Sequence, residues 1–397
     1  MNVKGFLVNI FDFLKRTWQG RFLLVVFFLV ISAPLWMNES PLLRYDKGDI
    51  SFPFLSSEKY GESNSLSTDG WEVNALLMYS PNSVDPLNDG FVGPFDQQYQ
   101  LSETGERERI SIRKRHWLGT NLRGNDLLAD VIYGTRNSMI IALSGACLSL
   151  VFAAVLGFVG GWYFQTGIKT NIARLLLSVV AFVWILFIQE NILIYSDRLI
   201  ALIGLLIFIL PLNWLLTRVE VRFLQSNIAI RIDDIIGLIS GLLLSLPRLV
   251  ILLAIMQLLK PSLLSMIILL GFTGWIELSR LIRSEIIRLK SNSFLDAAVM
   301  SGVKGQRLML KHVLPNVWPS IVVLFIYTIS GNTNIESILS FMGMGLPPDV
   351  PSLGRTIGSG KFDYEVWWIF FLPGLWLSMI LYCFFKVAES YRKQLNG

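Results

Sequence analysis

His116 and His312 are the chain's two histidines, and Cys147 and Cys383 its two cysteines. Imidazoles and thiols are common metal ligands and catalytic groups, so their spacing is a direct test for chemistry. No His-Glu-x-x-His and no paired-cysteine spacing occurs, and no nucleophile has a base beside it. Both cysteines lie in apolar runs far apart and read as buried packing residues, not as a disulfide. Gly358-Ser359-Gly360-Lys361 hints at a phosphate loop. That loop needs Gly at 355 and Ser or Thr at 362, where Arg355 and Phe362 stand. The sequence therefore predicts no catalytic residue, no metal site and no bound cofactor. Polar groups inside apolar segments are what remain. Arg248, after Pro247, lies near the middle of one such segment, and an ionisable group at membrane depth marks function by default. Two readings stay open: Arg248 lines a hydrated route, or it pairs with a carboxylate such as Glu336 for structure alone. Asn332, Asn334 and Glu336 make the end of another segment polar, and the glycines from Gly343 permit a non-helical re-entry. Such backbone persists at membrane depth only where protein or a water-filled cavity satisfies it, which suits a gate.

The elements that must position these groups are membrane spans. Over its 397 residues the chain is 53% hydrophobic and only 16% charged. A soluble domain carries about a quarter charged residues, whereas stretches of about 20 apolar residues mark spans. Spans read at 21–37, 137–164, 174–193, 198–216, 234–259, 262–281, 316–334 and 366–387. The expected fold class is all-α: a polytopic membrane protein of about eight transmembrane helices with a polar extracytoplasmic loop. Three parts follow: 1–37 with the first helix, 38–136 as the loop or cap, and 137–397 as the transmembrane domain. Arg16, Lys169, Arg218, Arg283, Lys311 and Arg392 fall on one side, so the positive-inside rule places both termini in the cytoplasm. The cluster Arg107, Arg109, Arg113, Lys114 and Arg115 runs against this, within a long loop of the kind that translocates regardless of charge. Arg109-Ile110-Ser111-Ile112-Arg113 alternates as a short strand would. No small-x-small cleavage pattern flanks the apolar stretch Phe22–Trp36, which reads as a retained helix and not a signal peptide. The net charge of +5 follows from the basic loops of a membrane protein, without nucleic-acid binding.

The most informative loop, about 283–315, follows the sixth span. Ser293 and Asp296 make a capping-box-like helix start, Ala297 and Ala298 favour helix, and Gly302 suits a left-handed helix end. Pro315 then limits a second short helix. Phe294, Leu295, Val299 and Met300 form an apolar face that fits either a partner's groove or the lipid headgroups. The pattern Asp296-Ala297-Ala298, then Gly302, then His312-Val313-Leu314-Pro315 resembles the cytoplasmic signature of ABC-importer permeases. Asp296 stands where that family usually has Glu.

Two further stretches resemble the second permease subunit of oligopeptide, dipeptide and nickel importers. One is His116-Trp117-Leu118-Gly119-Thr120, continuing through Gly124-Asn125-Asp126 to Tyr133-Gly134-Thr135-Arg136. Asn121 and Asn125 replace the usual Asp and Arg there, which puts a charge pair at those positions in doubt. The other runs from Glu336-Ser337-Ile338-Leu339-Ser340-Phe341 to Gly345-Leu346-Pro347, with Pro351-Ser352-Leu353-Gly354 after it. The resemblance covers about 116–165 and 234–390, and is greatest to the branch linked with microcin C and oligopeptide uptake. It implies a six-helix core, so 167–232 reads as an inserted hairpin. It also implies that Phe294, Leu295, Asp296, Ala297, Ala298, Gly302, His312, Leu314 and Pro315 couple to an ATPase. The implied partners are a homologous second permease, two ATP-binding subunits or one fused ATPase, an extracytoplasmic solute-binding protein and membrane lipid. ATP would be hydrolysed by the partner, since this chain has no nucleotide loop. A secondary transporter without an ATPase and a membrane assembly scaffold are the alternative readings.

Overall fold

The computed structural model describes residues 13–46, 49–53, 70–81, 83–101, 106–110, 115–162, 168–171, 227–230, 232–293, 297, 300–301, 303, 305–361 and 364–396. The predicted spans 174–193 and 198–216 lie outside these residues, as do Phe294, Leu295, Asp296, Ala298 and Gly302. Residues 1–155 and 244–397 form one unit, and residues 156–243 form another.

In the first unit, α1 (Trp18–Trp36) begins at Thr17, whose hydroxyl accepts from the amide of Gly20 at 3.2 Å. Its Leu23, Val26 and Val30 pack on Ile380, Cys383 and Val387, while Phe28 and Ile31 stay exposed. A helix apolar on its outer face as well as its inner one is suited to lipid. Between α1 and the next helix run β1 (Leu43–Asp46), β2 (Asp49–Ser51) and β3 (Trp71–Val73), an antiparallel sheet in the order β2-β1-β3. β4 (Tyr99–Leu101) pairs antiparallel with β5 (Arg107–Arg109). The strand predicted over 109–113 therefore ends at Arg109, and Ser111–Lys114 lie outside the described residues.

Helix α2 (Leu127–Trp162) starts ten residues before its predicted span. Its 36 residues rise about 54 Å, well beyond the roughly 30 Å of hydrocarbon, so a polar first portion carrying Asp130, Tyr133 and Arg136 escaped hydropathy. The predicted span 234–259 is broken into α3 (Ile232–Leu244) and α4 (Arg248–Met256). Pro247 stands at the break, where it has no N–H to continue the ladder. Helix α5 (Leu263–Lys290) starts with a reciprocal capping box between Ser262 and Ser265 and runs past the predicted end at 281. Helix α6 (Gly305–Leu308) passes through a π turn at Met309–Val313 into α7 (Leu314–Phe341). α8 (Leu353–Ser359) and α9 (Trp367–Asn396) complete the chain.

Among the described residues, five helices are long and apolar enough to cross a membrane, and α3 with α4 would make a sixth as one interrupted span. Met266, Leu269 and Leu270 of α5 centre the main core, packed with Ile141 of α2, Leu252 and Met256 of α4 and Leu339 of α7. Cys383 is buried and Cys147 is exposed, both as free thiols. The expectation that both would be buried fails at Cys147, because an apolar run in such a helix covers its outer face too. In the second unit, β6 (Ile168–Asn171) pairs antiparallel with β7 (Asn227–Ile230), Ile168 opposite Ile230. These strands stand just inside the two ends of the stretch read as an insertion, 167–232.

Candidate functional site

Between α5 and α7 the chain turns at Ser291 and Asn292, and Ser293, Ala297 and Met300 are helical. Ser301 closes this helix, its amide and hydroxyl donating to the Ala297 carbonyl at 3.0 and 2.8 Å. Ala297 is exposed, and Met300 at 89% is the most exposed large apolar side chain among the described residues. Pro315 does not end the second helix as predicted. The π turn before it widens the ladder, and Pro315 sits in the first turn of α7, where a missing N–H costs little. His312, Leu314 and Pro315 are half-buried, and the His312 carbonyl accepts from Asn316 Nδ2 at 2.6 Å. Glu285 holds Arg288 at 2.7 Å and accepts from Ser320 at 3.3 Å, so the base of the loop is tied from α5 to α7.

Arg248 opens α4. Its Nε donates to Thr273 Oγ1 at 3.3 Å, and its Nη2 donates to Asn332 Oδ1 at 3.2 Å and to Thr273 and the Leu270 carbonyl at 3.3 Å. Asn332 is buried and donates to the Ala142 carbonyl at 3.3 Å, so α2, α4, α5 and α7 meet around this guanidinium. All these acceptors are neutral, although an arginine at a helix centre in a bilayer costs about 2.5–3.5 kcal/mol. Pairing with Glu336 is overturned. That carboxylate is 0% exposed and accepts from Ser138, from Ser340 at 2.8 Å and from Ser352 at 3.0 Å. It binds α2, α7 and the start of α8 together. Asn334 is exposed, so the four predicted pathway residues divide into two buried, one half-buried and one exposed.

The segment before α2 is built around His116, which is 0% exposed. Its Nδ1 lies 2.9 Å from Asp126 Oδ2 and its Nε2 lies 3.3 Å from Asp85 Oδ2. Tyr79 lies over the ring at 4.1 Å, and the Gln98 amide exchanges two hydrogen bonds with the His116 backbone. Burial alone would lower the imidazole's pKa, but the hydrogen bonds and charges of Asp126 and Asp85 outweigh it and raise the value. Burial would raise the Asp85 carboxyl, yet His116 and Asn88 hold it below its ordinary value. Asp126 also accepts from the amide of Ala129 at 2.7 Å, capping α2. The Asn121 amide donates to Asp130 at 3.3 Å, and Asn125 donates to the carbonyls of Pro81 and Ser83. Ionic pairing in the motif is therefore carried by His116, while the asparagines serve as neutral clamps. A cleft of about 310 Å³ opens beside them, lined by Asn121, Arg123, Asp130, Asp349, Ser352 and Arg355 among others.

Sequence reasoning missed Glu277, exposed on α5 one turn beyond Thr273. The same rule that singles out Arg248 applies to it. Asp85, Ser138 and Ser352 carried no such signal, because their partners stand 31, 198 and 16 residues away.

Residues 223–390 match the family model of the binding-protein-dependent transport system inner membrane component. The chain is 23% identical to the "Peptidoglycan transport system permease protein YejE" of Agrobacterium fabrum, over 94% of this chain and 88% of that protein. It is 22% identical to the "Inner membrane ABC transporter permease protein YejE" of Escherichia coli, over 94% and 91% respectively. Identity to the "Oligopeptide transport system permease protein OppC" of Haemophilus influenzae is 24%, over 71% of this chain and 70% of the other. The matched segment runs from β7 and α3 through α8 and into α9.

Proposed function

We infer that this chain, an ABC-importer permease subunit of the oligopeptide family, forms half of a pathway for peptides or similar solutes and takes its drive from a separate ATPase docked on residues 293–315. The helices α4, α5 and α7 supply the pathway half, and the loop between α5 and α7 is the coupling element. A homologous second permease completes the pathway. Two ATP-binding subunits or one fused ATPase hydrolyse ATP, and a solute-binding protein delivers substrate at the face of the 38–136 cap. Both termini and the coupling loop lie in the cytoplasm, as the basic residues around Arg288, Lys290 and Lys311 favour. Closure of the ATPase on ATP moves the loop, and the rigid tie from Glu285 to Arg288 and Ser320 passes that motion into α5 and α7.

The exposure of Met300 carries the coupling reading. A large apolar side chain left almost wholly in water, on a short helix at the end of two spans, is the kind of anchor a partner's groove accepts. The test is co-purification from the complete importer. Met300→Glu should lose the ATP-binding subunit and ATP-driven uptake while the second permease still co-purifies with it. Wild-type uptake by that variant would refute the coupling role, and a native chain recovered with no ATP-binding subunit would refute the importer reading.

A further inference from the structure

We propose that Arg248 is a recognition point for a carboxylate of the transported solute, above all the free C-terminal carboxylate of a short peptide. This rests on the permease reading and names the chemistry of its pathway.

Its partners on two spanning helices fix its depth. Thr273 lies ten residues into α5, about 15 Å from the start of that helix. Asn332 lies nine residues before the end of α7, about 14 Å from it. Those two helix ends are on the same side of the membrane, because α7 returns after α5. Half of a hydrocarbon layer is about 15 Å, so the guanidinium lies near the midplane.

A charge there has to face protein or water, since a lipid-facing cation is not tolerated at that depth. Within this chain the compensation is incomplete. The Nε and Nη2 donors are held by a hydroxyl, a carbonyl and an amide oxygen at 3.2–3.3 Å, all neutral and all at the long end of the range. The Glu277 carboxylate on α5 bears on it electrostatically from beyond ion-pair distance, and Nη1 has no acceptor among the described residues. Glu336, the nearby buried acid on α7, has its oxygens occupied by serine hydroxyls. The side chain is thus oriented through Nε and Nη2, which leaves the Nη1 donors for a solute. A charge-assisted hydrogen bond from them to a carboxylate is strong where water is scarce. Exposed Glu277 lies one turn beyond Thr273 on the same face of α5.

The assignment is tested in proteoliposomes holding the complete importer and its binding protein. Uptake of trialanine and of its C-terminal amide is measured for the native chain, Arg248→Gln and Arg248→Lys. Each variant is scored relative to the native chain for each peptide, which cancels selection by the binding protein. Arg248→Gln should lose about tenfold or more on the free acid, the loss expected for one charge-assisted contact, with less than about twofold on the amide. Arg248→Lys, which keeps the charge but not the planar head that Thr273 and Asn332 orient, should fall between. Retained amide uptake shows that the variant is folded and coupled. Equal loss on both peptides overturns the proposal and makes Arg248 a structural residue or the counter-ion of an acid on the second permease. No change on either peptide overturns it too. If the native importer takes up neither peptide with ATP, the permease reading fails and this assignment with it.

Discussion

His116 has no exposed surface, yet it is flanked by two carboxylates that keep its imidazole inclined to hold a proton. Because its folded pKa is raised above the ordinary 6.5, its contribution to stability is complete below 6.5 and is lost as pH rises through the folded value. Asp85 works the other way: its folded pKa lies below the ordinary 3.8, so its contribution is complete above 3.8 and is lost as pH falls through the folded value. The groups facing the ring are Asp85, Asp126 and Tyr79, and the tyrosine hydroxyl is pushed up by burial and by both carboxylates, so it stays neutral across this range. Amide hydrogen exchange across 79–126, corrected for its intrinsic pH dependence, should show greatest protection between these two ordinary values and a decline on the alkaline side. His116→Gln should flatten that alkaline decline. An unchanged decline in the variant would mean that another group controls it. Glu336 follows a different logic. Serine hydroxyls from three elements satisfy it, so it acts as a fixed joint between α2, α7 and α8.

At the scale of elements, α8 depends on the absence of side chains. A Cβ on Gly354 would overlap the Ser337 carbonyl of α7, and one on Gly134 would come within 2.8 Å of the Leu353 amide. Gly354→Ala should therefore push α8 off α7, separate Ser352 from Glu336 and lower the yield of folded protein in detergent. Gly374→Ala in α9 is the control, since a Cβ there meets nothing within 4 Å, and helix propensity favours Ala by about 1 kcal/mol. Equal yields from the two variants would refute the close approach. The sequence made α1, α5, α7 and α9 legible because their apolar runs are long, though hydropathy clipped α5 and α7 where Arg288 or Ser337 continues the helix. It also made the short helix at Ala297 and Met300 legible, though not the continuation past Pro315 into α7. The break at Pro247 was missed because the apolar runs on either side of Ser245 and Arg248 keep the mean hydropathy high across it. The Glu336 joint and the Asp85 partner of His116 were hidden for another reason: local spacing says nothing about groups that only the fold brings together.

At the scale of the whole molecule, residues 223–390 match the binding-protein-dependent transport model, and the stretch read as an insertion begins and ends at β6 and β7, which pair. Matching to the YejE proteins over 94% of this chain includes the insertion, whereas the match to OppC covers 71%. An extra pair of spans leaves the sidedness of everything after it unchanged. A single added span would reverse the loop around Met300 and the C-terminus relative to α1. Antiparallel β6 and β7 bring the two ends of the insertion together, which an even number of crossings permits and an odd number forbids. The spans read at 174–193 and 198–216 then put Tyr195, Ser196 and Asp197 on the side opposite to Lys169 and the loop around Met300. Ser196→Cys, with Cys147 and Cys383 replaced, should react with a membrane-impermeant maleimide added outside intact cells. Lys393→Cys in the same background should react only after the cells are opened. Labelling of Ser196→Cys only in opened cells would make the insertion a re-entrant or surface element, leaving six spans with the same sidedness. Labelling of both from outside would reverse the orientation of the entire chain and put the loop around Met300 outside, against the proposed docking of an ATPase.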